Sequence, residues 1–587
     1  MPSKTERLRA VVPENSRTVL PLAAARAWPV TLFVLLVLST LAGCCYVPGA
    51  RCRDWWRNGF KVGPNYCPPA APVASQWIDY ENPRVKSEEQ QLAQWWSVFN
   101  DSSLNSLIQT AYQQNLTLRE AGARILEARA QLGITRGNLL PQEQFAFGEY
   151  SRVKLSQNVA NPPISAWFSN WAYGLSGSWE LDFWGRYRRS IEAADAELDA
   201  SVENYDDVLV VLLSDVAAAY VEYRTFEQRL VYARQNVEIQ SKSSQLATDK
   251  FEHGATTERD TQQAKQVLAQ TEALIPALEI GKRQAANRLC ILLGMPPTNM
   301  EAILGAGKGI PVTPEDIVVG VPADLIRRRP DVRRAERQVA AQSARIGVAV
   351  TDLFPHFTIL GTIGVEAEQA ADLFKSGSMI GQISPGFRWD ILNYGRLVNN
   401  TRVQDARFQQ LAYSYQNQVL DAGREVEDSI VVFLRSREQA AYLNTSVGAA
   451  TRTVDITTDQ YNEGLVDFTA VYLFQTTLTE QQDQFAVAQG DIALGLIAVY
   501  RALGGGWQIR LEGMETPPQA LPLPLLEDSR GEDIPAPQGN DNDIQFQSFI
   551  TESAIMNPVG VQQTPSTSAP LSRLPIVKPG VALPESS

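Results

Sequence analysis

Two stretches of 67 residues, Arg186 to Glu252 and Arg396 to Asn462, each predict a single helix on the order of 100 Å long at about 1.5 Å per residue. No globular core uses helices of that length. In the first, apolar or small residues fall at Ile191, Ala194, Leu198, Val202, Tyr205, Leu209, Leu212, Val216, Ala219, Tyr223, Phe226, Leu230, Ala233 and Val237. The mean step of about 3.5 residues is that of a coiled-coil seam. Each helix then turns at a glycine, Gly254 or Gly464, and returns through Thr256 to Leu293 or Asp467 to Leu503.

The helices belong to a tandem repeat. Trp179-Glu-Leu-Asp-Phe-Trp-Gly185-Arg186 answers Trp389-Asp-Ile-Leu-Asn-Tyr-Gly395-Arg396 at an offset of 210 residues, as Phe251-Glu-His-Gly254 answers Tyr461-Asn-Glu-Gly464 and Leu293-Gly294 answers Leu503-Gly504. Gly133 with Leu140-Pro141 answers Gly347 with Phe354-Pro355 at 214. One unit is duplicated. Each copy opens with a helix of about 25 residues that stops at its proline, which removes a backbone donor and disfavours the helical region for the residue before it.

Extended segments follow each proline. From Trp171 to Phe183 the odd positions are Trp, Tyr, Leu, Gly, Trp, Leu and Phe, and the even ones Ala, Gly, Ser, Ser, Glu and Asp. That is the period of a strand with one apolar face. Ile383, Phe387, Trp389 and Ile391 repeat the pattern in the second copy, Phe357, Ile359, Ile363 and Val365 line its partner, and the segment around Phe145 and Phe147 is the weakest of the four. Four amphipathic strands of about ten residues have the length of outer-membrane strands, but an open sheet cannot lie in lipid with unpaired edges. Closure therefore requires several protomers. The alternative is a soluble pair of hairpins on a core, which leaves the aromatic faces unexplained.

The chain ends carry targeting information. Lys4, Arg7, Arg9, Arg17 and Arg26 precede an apolar run from Trp28 to Leu41, too short for a comfortable membrane span, which ends at Leu41-Ala42-Gly43-Cys44. This matches a lipobox with Cys44 as the acylated residue; an uncleaved single-pass anchor is the competing reading. Several acyl chains hold a protein to a bilayer stably where one does so marginally. Cys45, Cys52 and Cys67 then lie in an oxidising compartment with no readable pairing, and their spacing fits no zinc pattern. From Glu512 onward 12 of the 34 prolines fall without apolar periodicity, which predicts a disordered tail. The resulting organisation is a signal peptide over 1–43, a lipidated irregular segment over 44–90, a first repeat over 91–294 with a β-hairpin at about 143–184, a linker over 295–328, a second repeat over 329–510 with a hairpin at about 356–394, and the tail over 511–587.

With these features the sequence resembles the outer membrane factor (TolC-like) family, in its NodT-type lipoprotein branch. The resemblance rests on Val62-Gly63-Pro64-Asn65-Tyr66, on Trp95-Trp96 with Phe99, on Leu325-Ile326-Arg327-Arg328-Arg329-Pro330-Asp331-Val332 with Ala335-Glu336, and on both repeat junctions. It implies a mainly α chain with a membrane β part, a TolC-like barrel completed as a homotrimer of twelve strands. The helices would form a long periplasmic barrel, girdled at its equator by residues 91 to 112, Pro296 to about Arg328 and the segments flanking the tail. Its partners would be a periplasmic adaptor (membrane fusion) protein, an inner-membrane pump of the RND or ABC class, and outer-membrane lipid. The role is a passive exit channel of a tripartite efflux system; the alternatives are the duct of a type I (ABC) secretion system and a structural coiled-coil envelope tether.

Site residues follow from this reading. Trp171, Tyr173, Trp179, Phe387 and Trp389 are expected to face lipid, with Glu180, Asp182 and Arg388 toward water inside the barrel. Gly254 and Ala255 with Gly464 and Leu465 form the expected adaptor-docking tip. Glu258, Asp260, Tyr461 and Asp467 are the pore or gate candidates, because a threefold axis would multiply the carboxylates into rings that favour cations. Many relatives carry an aspartate nine residues past the second glycine, where this chain has Leu473. No catalytic residue, metal or cofactor is expected. Gly305-Ala306-Gly307-Lys308-Gly309 lacks the spacing and hydroxyl of a phosphate loop, and His253 and His356 have no nucleophile or carboxylate cluster arranged around them in the sequence. The 65 acidic residues against 52 basic ones, a net charge of -13, argue against nucleic acid as a partner.

Overall fold

In the computed structural model the described residues are 52–86, 92–161, 164–305, 309–320, 322 and 328–512. The expected signal peptide, Cys44 and Cys45, the tail beyond 512, Leu325 to Arg327 and residues 306–308 of the glycine-rich loop lie outside them.

The duplication governs the architecture. A short helix α1 (Ser102–Gln114) leads into the first copy: α2 (Leu116–Gly137), β1 (Glu143–Lys154), β2 (Trp167–Leu181), α3 (Arg186–Glu252) and α4 (Glu258–Leu292). The second copy is α5 (Pro330–Thr351), β3 (His356–Ala367), β4 (Met379–Arg388), α6 (Arg396–Glu463) and α7 (Phe468–Ala502). Equivalent elements match closely in length, 22 and 22 residues for α2 and α5, 67 and 68 for α3 and α6, 35 and 35 for α4 and α7. Both first helices stop four residues short of the proline that the sequence pattern marks as their end.

The strands form one antiparallel sheet in the order β1-β2-β3-β4. β1 and β4 are its edges, and neither has a second strand beside it among the described residues. At the opposite end α3 with α4 and α6 with α7 form two long hairpins.

The main core lies between these ends. Trp95, Trp96, Phe99, Leu104 and Leu107 meet Leu209, Leu213, Val216 and Tyr220 of α3, Phe433 of α6, and Leu496 and Tyr500 of α7. Trp95 stacks on Tyr500 with ring centroids 5.3 Å apart. Leu304, Ile317 and Val319 join this core, and Ile317–Val318 pairs in parallel with Val85–Lys86. The segment read as a linker thus contributes core, because its apolar residues close the waist of the helices.

Candidate functional site

The sheet register sorts every strand residue to a face. Trp171, Tyr173, Leu175, Trp179 and Leu181 of β2 stand opposite Ala367, Val365, Ile363, Ile359 and Phe357 of β3, and the last four of these stand opposite Met379, Gly381, Pro385 and Phe387 of β4. Tyr150 of β1 joins this apolar face across from Trp171. The other face carries Glu143, Glu149, Ser176, Ser178, Glu180, Thr358, Thr362, Gln382 and Ser384. Phe145 and Phe147 pair with Ser176 and Gly174 and so lie on this polar face. Two apolar residues there break the alternation of β1, which is why that strand is the faintest in the sequence.

Two expectations change at the base of the sheet, those for Trp389 and Asp182. Trp389 lies one residue beyond β4, and its indole N–H donates to Leu353 O at 3.1 Å. Trp179 makes the equivalent bond to Leu139 O at 3.3 Å. The two landmark tryptophans are therefore duplicated latches, each tying a strand end to the last carbonyls after α2 or α5, where orphan acceptors need a donor. Asp182 does not face open water. Its side chain is 6% exposed, accepts from the backbone N–H of Tyr187 and Arg188 at 2.9 and 3.1 Å, and pairs with the Arg188 guanidinium at 2.7 Å. It caps α3. Glu180 lies on the polar face and bonds His356 Nδ1 at 2.8 Å; Arg388 pairs with Asp390.

The residues after the expected lipid anchor seat against this base. Trp55 packs on Phe183 and Trp184, and the Val62 N–H donates to Trp184 O. Buried Arg189 donates to Val62 O, Gly63 O and Asn65 Oδ1. A Cβ at Gly63 would stand 2.4 Å from Gly347 Cα, so only glycine fits at this crossing. Tyr66 OH donates to Glu336 Oε1 at 2.8 Å, which joins two of the sequence motifs. Burial, reinforced by that carboxylate, pushes the Tyr66 hydroxyl well above its ordinary value. Cys67 is an exposed free thiol.

At the far ends the two turns are built alike. Gly254 and Gly464 have φ of +71° and +77°, and open space surrounds both. The N–H of Ala255 reaches Lys250 O and that of Leu465 reaches Gln460 O, each at 2.8 Å, the six-to-one closure of a helix C-terminus. Leu465 is exposed and Tyr461 is buried against Phe468. Burial raises the Tyr461 hydroxyl above its usual value.

Lys250, which the sequence pattern does not single out, crosses between the tips. Its ammonium lies 4.6 Å from the Tyr461 ring centroid and donates to Asn462 O at 2.9 Å and to Tyr461 O. A cation on the last carbonyls of α6 complements the negative helix end. The four pore candidates separate here. Asp260 is 4% exposed and bonds Thr256, Thr257 and Arg259, so it serves its own protomer and is not presented at the tip. Glu258 and Asp467 remain exposed, with Arg259 3.4 Å from Asp467.

The arginine motif sits beside the central core. Buried Arg329 bonds both oxygens of Asp331 at 3.0 and 2.7 Å, Glu425 at 2.7 Å and Ala502 O at 2.9 Å, which ties the start of α5 to α6 and to the end of α7.

Residues 107–295 and 321–505 match the family described as outer membrane efflux protein. Nodulation protein T of Rhizobium leguminosarum bv. trifolii is 30% identical over 451 residues, 77% of this chain and 95% of its own. The cation efflux system protein CusC of Escherichia coli is 27% identical over 77% of this chain and 96% of its own. The structure of the outer-membrane channel OprN superposes with a TM-score of 0.72 at 29% identity, covering 76% of this chain and 99% of that one. With an amphipathic sheet at one end of two hairpins of 100 Å scale, the chain belongs to the outer membrane efflux protein family and is an outer-membrane exit channel that extends into the periplasm.

Proposed function

We propose that three copies of this chain close their sheets edge to edge into a twelve-stranded barrel and form a passive conduit, fed by an inner-membrane pump through a periplasmic adaptor. The observation that carries this reading is the sheet itself. One face is apolar from Trp171 to Leu181 and from Phe357 to Val365, and both edge strands are unpaired among the described residues. Such a sheet is stable in lipid only when each edge meets another strand. The apolar face then meets lipid and the face with Glu180 lines water.

Cys44 carries the acyl anchor in this reading. The eight residues from Cys44 to Cys52 span at most about 28 Å, enough to reach the membrane base where Trp55 packs on Phe183 and Trp184. The turns at Gly254-Ala255 and Gly464-Leu465 offer the adaptor an exposed surface, and Glu258 and Asp467, repeated by the threefold axis, form carboxylate rings. An RND pump is the first reading of the partner, in keeping with the NodT-type branch that the sequence resembles. The duct of an ABC exporter is the second reading.

The decisive experiment compares Leu175→Arg with Ser176→Arg in the full chain, reading heat-modifiable, detergent-resistant trimers. The first should lose about 2 to 4 kcal/mol near the midplane and fail to assemble, whereas the second should assemble. Equal tolerance of both would remove the barrel from the proposal. Bulky replacements of Gly254 and Gly464 should leave trimers intact and abolish efflux; normal resistance would remove the docking assignment.

A further inference from the structure

Beyond the apolar belt, at the end of the first hairpin farthest from the helices, the outward face changes character. Arg152 stands opposite Ser169 and Lys154 opposite Trp167, so both cations share the face of Tyr150 and Trp171. They flank one indole, with the Arg152 guanidinium carbon 5.5 Å and Lys154 Nζ 5.4 Å from the Trp167 ring centroid. Just below, the Tyr150 and Trp171 rings lie 4.4 Å apart. Both cations are exposed, and neither has a carboxylate partner among the described residues. The nearest acidic residues in the register, Glu149 and Glu366, stand opposite Ala172 and therefore on the other face.

The second hairpin lacks this arrangement. Aligning β3 on β1 from their first residues places Val365 where Arg152 stands and Ala367 where Lys154 stands. Lys375, in the loop between β3 and β4, is paired with Asp372. The unpaired cations are thus a feature of one hairpin and not a consequence of the duplicated fold.

We propose that Arg152 and Lys154, with Trp167 between them, bind the phosphate groups of an anionic lipid in the outer leaflet, at one site per protomer. The proposal rests on the apolar face being turned to lipid. At that depth an indole occupies the boundary between chains and headgroups. A stacked guanidinium keeps its in-plane N–H donors free for a phosphate, and the ammonium adds a second charge. Two cations with no carboxylate partner at the rim of an apolar belt are the electrostatic complement of a phosphorylated headgroup.

The test uses full-length trimer in detergent and native mass spectrometry, with bis-phosphorylated lipid A, the same lipid dephosphorylated, and inorganic phosphate as probes. Two cations at roughly five-fold each predict about a 25-fold preference for the phosphorylated lipid. Arg152→Glu with Lys154→Glu should abolish the preference, and Arg152→Lys with Lys154→Arg should keep most of it. Should the charge reversal prevent trimer assembly, Arg152→Gln with Lys154→Gln supplies the same reading. Equal affinity of the wild type for both lipids, a preference that survives charge removal, or displacement of the lipid by millimolar inorganic phosphate would each overturn the site. If Leu175→Arg assembles as well as Ser176→Arg, the lipid-facing assignment itself has failed; if it does not assemble and the phosphate preference is absent, only this site has.

Discussion

The seam between the two helical hairpins of a protomer is apolar near the waist and polar below it, although the same helices, α3 and α7, form both parts. Near the waist Leu209, Leu213, Val216 and Tyr220 face Leu496, Ile497 and Tyr500, all buried. Lower down the pairs are Arg229 with Asp483 at 2.7 and 2.9 Å, Asn236 with Gln482 at 2.6 Å, Gln240 with Thr479 at 3.3 Å and Ser243 with Gln475 at 2.7 Å. A small apolar cluster of Ala247, Ala264, Tyr461, Phe468 and Val471 closes the tip. The waist gains free energy from area removed from water, at about 25 cal/mol per Å². The polar ladder gains only about 1 kcal/mol net per bond, but it fixes which residue meets which. Two acceptors in it, Gln240 Oε1 and Gln475 Oε1, are buried without a partner among the described residues. The waist is therefore the permanent joint, and the ladder is the part that separates at least cost.

The largest expected effect is at the waist. Arg329→Ala removes the guanidinium that pairs with buried Asp331, and loss of one partner of a buried pair costs about 3 to 5 kcal/mol. Guanidinium unfolding of the detergent-solubilised protein should show it. Leu213→Ala, at a fully buried site, should follow with about 3 kcal/mol. If either costs no more than a ladder truncation, the distinction between the halves is wrong.

The waist should also carry an acid sensitivity. Burial opposes ionisation of Asp331, but the bonds from Arg329 and Gln418 outweigh it and hold the carboxyl below its usual range. A depressed folded value means a contribution fully present above the unfolded value of about 3.9 and lost as pH falls through the lower folded one. Unfolding midpoints from pH 6 to pH 3 should fall more steeply in the wild type than in Asp331→Asn. Parallel curves would show that this ion pair is not the acid-labile contact.

Much of this was legible in the sequence because the duplication checks itself: two independent copies gave the same helix lengths, turns and strand faces. The apolar stripe from Ile191 to Val237 locates the buried face of α3 at Leu209, Leu212, Val216, Ala219, Tyr223, Leu230 and Ala233. It drifts at the ends, where Val237 is half-exposed and Asn236 is buried in its place. α3 also buries a second stripe, including Ala193, Leu213, Ala217 and Tyr220, because it packs neighbours on two sides, which a one-seam reading misses. Side-chain destinations were harder. Asp182 and Asp260 read as free carboxylates, but each sits at the start of a helix where backbone or hydroxyl donors claim it. Periodicity reports which face a residue is on and not what it bonds there.

The smallest effect on stability, and the sharpest test of the comparison, belongs to the ladder. Gln240→Leu together with Gln475→Leu removes one hydrogen bond at each position and also both orphaned acceptors. The two glutamines bond Thr479 and Ser243 and not each other, and both hydroxyls keep their bonds to Gln475 O and Ile239 O. The lost bonds, at about 1 kcal/mol net each, are offset by removal of the two orphaned acceptors, so stability should change by less than about 1 kcal/mol in either direction. Separation of the hairpins should nevertheless become harder, because the contact then resembles the waist and exposes apolar surface when it opens. Lower single-channel conductance with trimer stability unchanged is the expected result. The Ser243→Ala variant, which removes the acceptor of the Gln475 amide and adds no apolar seal, should leave conductance near that of the wild type. Conductance unchanged in the double leucine variant would mean that the hairpins do not part along this seam. A midpoint lowered by several kcal/mol would mean instead that the ladder, like the waist, is a permanent joint.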